Sequence, residues 1–275
     1  MDERPSRPWH VFATYAAAVA GILATTGIAF ETLHAMYPDV PEATLQGTLP
    51  ALIAGSLATS TALLLTLVLV VRPLTPARLR LVPGWETGPT LAAVVLGGVA
   101  FSQTLDSLAV VVGLGDSPVL ALIQRMLEGT TGPDLFGAVV VLGLIVGTAE
   151  EIFFRGYMQS WLREHWSPLA SVVATSAGFA VLHLDTTFVH TVMAFALGLY
   201  LGWVVEITGS ALPAIACHIA NNVIFTLMTA LSVTLQGRDI NLIAAPVAAA
   251  VFVGCVLWVR RAARFAPPLP PVDAE

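Results

Sequence analysis

The feature that most constrains the fold of this chain is a series of long apolar stretches that carry no charge. Val11 to Phe30 is one of them. As a helix rising about 1.5 Å per residue, it would cross a hydrocarbon core about 30 Å thick. Of the 275 residues, 56% are hydrophobic and 11% are charged, whereas soluble domains carry about 25% charged residues. The composition therefore excludes a water-soluble globule, a disordered chain and a nucleic-acid-binding protein.

Eight stretches are long and apolar enough to be predicted as membrane spans. They comprise residues 9–30, 49–71, 90–114, 134–161, 168–184, 186–205, 210–235 and 240–259. The sequence thus predicts an all-α, polytopic membrane protein with about eight transmembrane helices. We expect a single transmembrane domain over residues 9–265, a short cytoplasmic N-terminus at 1–8 and a Pro-rich, disordered tail at 266–275.

The arginines predict how these spans are oriented. The chain has twelve basic residues, all of them arginine, which we attribute to a GC-rich bacterial source. With both termini cytoplasmic, nine lie in cytoplasmic segments, Arg125 and Arg238 lie in outer loops, and Arg155 lies inside a span. This distribution agrees with the positive-inside rule. We therefore expect a multi-pass protein of the bacterial inner membrane. The net charge of -6 argues against a nucleic-acid partner.

Span four carries the most informative polar residues. An ionisable side chain at the centre of a span costs about 2.5–3.5 kcal/mol, so it indicates either a function or a partner. Glu151 and Arg155 are four residues apart and can pair on one helix face. Glu150 is rotated by about 100° from Glu151, so the two carboxylates can do different jobs, one of them in a cavity. Gly143 and Gly147 form a small-residue face that would admit a neighbouring helix.

Spans five and seven add two histidines and an asparagine. Phe179 and His183 are four residues apart in span five, so the phenyl ring can pack against the imidazole. His218 and Asn222 have the same spacing in span seven. The amide of Asn222 can therefore orient the imidazole or bind a substrate carbonyl.

In this order, the three patterns resemble the CPBP family, which comprises the type II CAAX prenyl endopeptidases and their bacteriocin-processing and bacteriocin-immunity relatives. Glu-Glu-x-x-x-Arg, Phe-x-x-x-His and His-x-x-x-Asn all fall within a motif core at residues 134–235. The resemblance implies an intramembrane endopeptidase with a catalytic cavity between helices 4, 5 and 7. It also implies a catalytic group formed by Glu150, Glu151, Arg155, His183, His218 and Asn222.

Peptide hydrolysis needs an activated water, a stabilised oxyanion and a proton for the leaving amine. Glu150 is the candidate base, His183 could hold the water or carry a proton, and His218 and Asn222 could stabilise the oxyanion. Glu150, His183 and His218 could instead form a three-ligand zinc site. We favour the metal-free mechanism, because the His-Glu-x-x-His helix pattern is absent, but the sequence leaves both open.

The expected substrate is a membrane-associated peptide or protein in the lipid bilayer. We expect it to enter from the cytoplasmic side or laterally, because Glu150 lies in the inner half of its span. A non-proteolytic scaffold or bacteriocin-immunity protein would fit the same polar cluster, as would a transporter, although no internal repeat is visible. Gly113 to Asp116 matches the Gly-x-Gly-Asp pattern of presenilin-like aspartyl proteases, but the second intramembrane Asp on a facing span is missing. We expect Asp106 to be a packing or cavity-lining residue.

Overall fold

The computed structural model describes residues 7–115 and 117–266. The predicted tail, Asp116 and most of the predicted N-terminal segment therefore lie outside the described residues. Within these ranges the regular structure is entirely helical. In chain order the helices are α1 (Pro8–Met36), α2 (Glu42–Leu45), α3 (Leu49–Val70), α4 (Gly88–Val111), α5 (Pro118–Leu127), α6 (Gly132–Arg163), α7 (Pro168–Val181), α8 (Val189–Thr208), α9 (Leu212–Ala230) and α10 (Arg238–Ala263).

Seven helices in the described part of the chain are long and apolar enough to cross a membrane, namely α1, α3, α4, α6, α8, α9 and α10. The prediction of an all-α polytopic membrane protein is confirmed. The eighth predicted span, residues 168–184, corresponds to α7, which has only 14 residues. At about 1.5 Å per residue it rises about 21 Å, less than the hydrocarbon thickness. Helix α7 is therefore too short to cross the hydrocarbon core by itself.

Local sequence explains where several of these helices begin. Proline occupies the first turn of α1, α3, α4, α5, α7 and α9, where its missing N–H has no helical acceptor to lose. Thr48 caps α3 by accepting a hydrogen bond from the Ala51 N–H. Ser167 caps α7 in the same way through the Ala170 N–H. Gly209 ends α8 in the left-handed region.

Helix α6 lies in the interior of the bundle and departs twice from regular α geometry. Val139–Val146 and Ile152–Gln159 are π-helical, and the α-helical turn Gly147–Glu151 lies between them. Such wide turns are often found at functional sites. Phe153, Phe154 and Arg155, which follow Ile152 in the second π-helical segment, are fully buried. The backbone thus changes geometry on both sides of the turn that carries Glu150 and Glu151.

Two glycines of α6 allow α9 to approach closely. A Cβ atom on Gly143 would lie 2.5 Å from Val223 Cγ2, and one on Gly147 would lie 3.2 Å from the backbone nitrogen of Ile219. Both distances are shorter than ordinary van der Waals contact. The predicted small-residue face is confirmed, and its role is to bring α9, with His218, against the turn that carries Glu150.

An ionic network joins the arginine-rich end of the bundle. Glu206, near the end of α8, accepts hydrogen bonds from Arg80 at 3.1 Å and from Arg163 at 3.0 Å. Gln159 on α6 donates to the same carboxylate at 2.9 Å. This network ties the loop between α3 and α4 to α6 and α8, and it marks the end of the molecule where most of the arginines lie.

Candidate active site

A cavity of about 1150 Å³ lies between α6, α9 and the loop after α7, with further walls from α3, α4, α5 and α8. The predicted site residues that line it are Glu150, His183, His218 and Asn222. Glu151 and Arg155 are fully buried behind this lining. The three sequence patterns thus meet at one cavity. The sequence predicted this for spans four, five and seven, which correspond to α6, α7 and α9.

The second carboxylate of the pair is held in place by two basic groups. Arg155 donates through Nη1 to Glu151 Oε1 at 2.7 Å, and both side chains have no solvent exposure. The Nδ1 atom of His218 lies 2.9 Å from the same oxygen. Arg155 also donates to the Gly198 carbonyl at 3.2 Å, and its guanidinium carbon lies 4.7 Å from the centre of the Phe179 ring. The predicted pairing of Glu151 with Arg155 is confirmed.

The first carboxylate has a different environment. Glu150 lines the cavity with an exposed fraction of 5%. Its Oε2 lies 3.7 Å from His218 Nε2, which is too long for a direct hydrogen bond. Among the described residues, Glu150 therefore faces the cavity without a bonded cation, whereas its neighbour Glu151 is fixed. The two carboxylates are placed differently, as their rotation about the helix predicted.

His183 is oriented by its own backbone. Its Nδ1 lies 2.9 Å from the Phe179 carbonyl oxygen, and a carbonyl oxygen can only accept a hydrogen bond. Nδ1 therefore carries the proton of the neutral ring, and Nε2 is left as an acceptor. The Phe179 ring packs 4.6 Å from the imidazole of His183 and 5.9 Å from that of His218. The predicted packing of Phe179 on His183 is confirmed.

A hydroxyl-rich loop supports His183. Asp185 accepts hydrogen bonds from Ser117, Thr187 and Thr191, and Thr191 also donates to the His183 carbonyl at 3.0 Å. Burial raises the pKa of Asp185, but these hydrogen bonds outweigh that effect and lower it to about 2. The loop is therefore anchored by an ionised carboxylate. The three sequence patterns do not include Asp185, although the polar run Asp185-Thr186-Thr187 interrupts the apolar sequence there.

The hydrogen bond of Asn222 on α9 differs from the predicted one to His218, and the neighbouring Asn221 also lies at the site. Asn222 donates to the Leu142 carbonyl at 3.0 Å, so it binds the π-helical turn of α6 and no hydrogen bond joins it to His218. Its neighbour Asn221 also lines the cavity. The amide oxygen of Asn221 is buried and has no hydrogen-bond partner among the described residues. The sequence patterns gave Asn221 no role, because the four-residue spacing from His218 favoured Asn222.

A zinc site formed by Glu150, His183 and His218 does not fit this arrangement. Across residues 7–115 and 117–266, no three His, Cys, Asp or Glu side chains converge to hold a metal ion. The Nδ1 hydrogen bonds of both histidines would suit metal ligands, but a structural or catalytic zinc needs at least three protein donors around one point. The donor set of this cavity therefore does not fit a zinc ion.

The cavity extends away from the arginine-rich end of the bundle. Its exposed lining residues include Gln46, Gly113, Gln236 and Arg238, which lie in or beside the loops at the opposite end. The arginine-rich loop at residues 71–87 contributes none of the lining residues. The exposed lining residues therefore lie at the end of the bundle opposite the arginine-rich loop, which the depth of Glu150 along α6 did not predict. Which of the two ends is cytoplasmic stays a prediction.

Comparison with known proteins agrees with the predicted resemblance. The family model described as type II CAAX prenyl endopeptidase Rce1-like matches residues 132–224. This range contains α6, α7, α8 and the first part of α9, and hence all six predicted catalytic residues. None of the curated proteins compared with the chain matches it. The resemblance predicted from the three patterns is confirmed over the matched segment, which is Rce1-like.

Proposed function

We propose that this chain, whose residues 132–224 are Rce1-like, is an intramembrane endopeptidase. It would hydrolyse a peptide bond in a membrane-associated peptide or protein, with Glu150 activating the attacking water. The observation that carries this proposal is the contrast between the two adjacent carboxylates. Glu151 is hydrogen-bonded to Arg155 and His218, while Glu150 faces a cavity large enough for a peptide segment.

In the proposed first step, Glu150 takes a proton from a water molecule as that water attacks the carbonyl carbon of the scissile bond. The Nε2 lone pair of His183, left free because Nδ1 bonds the Phe179 carbonyl, accepts a hydrogen bond from the second O–H of the water, which stays on the oxygen, and so orients the water. The C–N bond then breaks, and the protonated Glu150 delivers its proton to the departing amine nitrogen.

The negative charge that develops on the carbonyl oxygen would be stabilised from α9. Because Nδ1 of His218 donates to Glu151, the ring is held with Nε2 directed towards the Glu150 side of the cavity. In its protonated form, His218 can donate from Nε2 to the oxyanion. Asn222 can offer the second N–H of an amide that Leu142 already positions. The roles of Glu151 and Arg155 are to hold His218, not to touch substrate.

The test is turnover of a fluorogenic peptide panel by purified protein, comparing the wild type with Glu150→Gln. We expect the variant to lose at least about 100-fold in kcat, the lower end of what a general base contributes, while its thermal unfolding stays within a few degrees of the wild type. Asp39→Asn, at an exposed carboxylate away from the cavity, is the matched control and should keep full activity. Undiminished turnover by Glu150→Gln would refute the proposal.

The same assay separates this mechanism from the zinc alternative. Elemental analysis should find less than one zinc per chain, and dialysis against a chelator should leave kcat unchanged. A stoichiometric metal whose removal abolishes turnover would overturn the metal-free mechanism. A folded protein that cleaves no peptide but binds a membrane partner would instead favour the non-proteolytic scaffold.

A further inference from the structure

Asp106 is a second carboxylate in the wall of the candidate active-site cavity. It lies on α4, five residues before that helix ends at Val111, and it lines the same cavity as Glu150 and His218. An ionisable residue inside an apolar span is costly, and it is normally compensated by a partner or by a function. Nothing in the proposed hydrolysis uses Asp106, so its position needs a separate explanation.

Asp106 has no cationic partner in the part of the chain that the structure describes. Its polar neighbour is Gln103 on the same helix, whose amide also donates to Ser107 Oγ at 3.0 Å. Arg238, the arginine among the residues that line the cavity, donates instead to the Val111 carbonyl at 3.3 Å. No ion pair within 4.0 Å joins Asp106 to an arginine or a histidine of the described chain.

The cavity wall that Asp106 shares includes large apolar side chains beside polar ones such as Ser102. Leu105 and Val110 line the cavity from the same helix, and Leu120 and Ile123 line it from α5. A carboxylate without a cationic partner on such a wall discriminates sharply, because an uncharged group gives it no compensation and another anion is repelled. Such a wall fits a side chain that has an apolar stem and a cationic end, as Arg and Lys do.

We propose that Asp106 forms a subsite that binds the cationic side chain of an Arg or Lys residue in the peptide substrate. This inference rests on the proposed endopeptidase function and adds to it a substrate class, a membrane-associated peptide with a basic residue near the scissile bond. Because Asp106 and Glu150 line one cavity, a single extended peptide, at about 3.3 Å per residue, can contact both side chains.

The test measures binding without turnover. Glu150→Gln protein, in a non-ionic detergent free of amine lipids, is incubated with pooled ten-residue Leu/Ala peptides that carry Arg, Gln or Glu at one scanned position. We expect Arg peptides to be enriched over Gln peptides at one or two positions, by about tenfold or more, as for a close charge pair. Adding Asp106→Asn should abolish this preference, and adding Asp39→Asn should leave it intact.

Charge reversal guards against a folding artefact. Asp106→Arg should shift the enrichment from Arg peptides to Glu peptides at the same position, which loss of structure cannot produce. Equal enrichment of Arg and Gln peptides by the Asp106-containing protein, or a preference that survives Asp106→Asn, overturns the proposal. Enrichment that depends on Asp106, in a protein whose wild type cleaves none of the bound peptides, would support the subsite and refute the proposed hydrolysis instead.

Discussion

At the scale of single residues, the candidate site depends on a difference between two neighbours. Glu150 and Glu151 have the same side chain, but only Glu151 is hydrogen-bonded to a guanidinium and an imidazole. Residue spacing was enough to predict that Arg155 pairs with Glu151 and leaves Glu150 on another face, because consecutive helical residues are rotated by about 100°. It did not predict the bond from His218. Spacing could not predict that Asn222 binds the Leu142 carbonyl, since that bond depends on how α9 packs against α6.

The two carboxylates should respond differently to the same change. Glu151→Gln leaves the fully buried Arg155 without its counter-ion, and we expect a loss of about 3–5 kcal/mol of stability, as for a broken buried pair. Glu150→Gln removes a charge that faces the cavity and should cost much less. Thermal unfolding of both variants in one detergent checks this. Equal destabilisation by the two substitutions would contradict the assigned environments.

At the scale of helices, the sequence predicted which segments cross the bilayer better than it predicted their shapes. The apolar runs located the spanning helices because hydropathy follows directly from the absence of water in the bilayer. They did not reveal that α7 ends at Val181, or that α6 contains two π-helical segments. Both features depend on contacts between helices, which a pattern read along one helix does not contain.

The contact between α6 and α9 gives a prediction at this scale. Gly143→Leu inserts a side chain where Val223 Cγ2 already lies, and we expect a loss of about 1–3 kcal/mol from overpacking. Peptide turnover should also fall, because His218 moves away from Glu151 as the helices separate. Gly254→Leu on α10 is the matched control, since nothing lies within 4 Å of its added Cβ. If both variants unfold at the wild-type temperature, the close contact is not a determinant of stability.

At the scale of the whole molecule, the arginines and the cavity mouth lie at opposite ends of the bundle. The positive-inside rule predicts that the arginine-rich end is cytoplasmic, and on that prediction we expect the cavity to open on the outer side of the membrane. No pattern in the sequence indicated at which end the helices diverge. The direction of the opening is a property of the assembled bundle.

Cysteine labelling in intact cells tests this expectation. Gln236→Cys, at the exposed mouth of the cavity, should react with a membrane-impermeant maleimide added outside. Thr75→Cys, in the exposed loop between α3 and α4, should react only after the cells are permeabilised. The wild type provides the background, because Cys217 is buried and Cys255 is half-buried. The reverse labelling pattern would place the mouth on the cytoplasmic side.

The pairing of Glu151 with Arg155 also bears on how this chain is made. Both partners belong to one helix and lie one turn apart, so their bond can form as soon as that helix coils, before the helices that follow it in the chain have been synthesised. The nascent segment then enters the lipid with these two charges already neutralised by each other. Of the three ionisable groups between residues 150 and 155, only Glu150 depends on the later helices to shield it from the acyl chains.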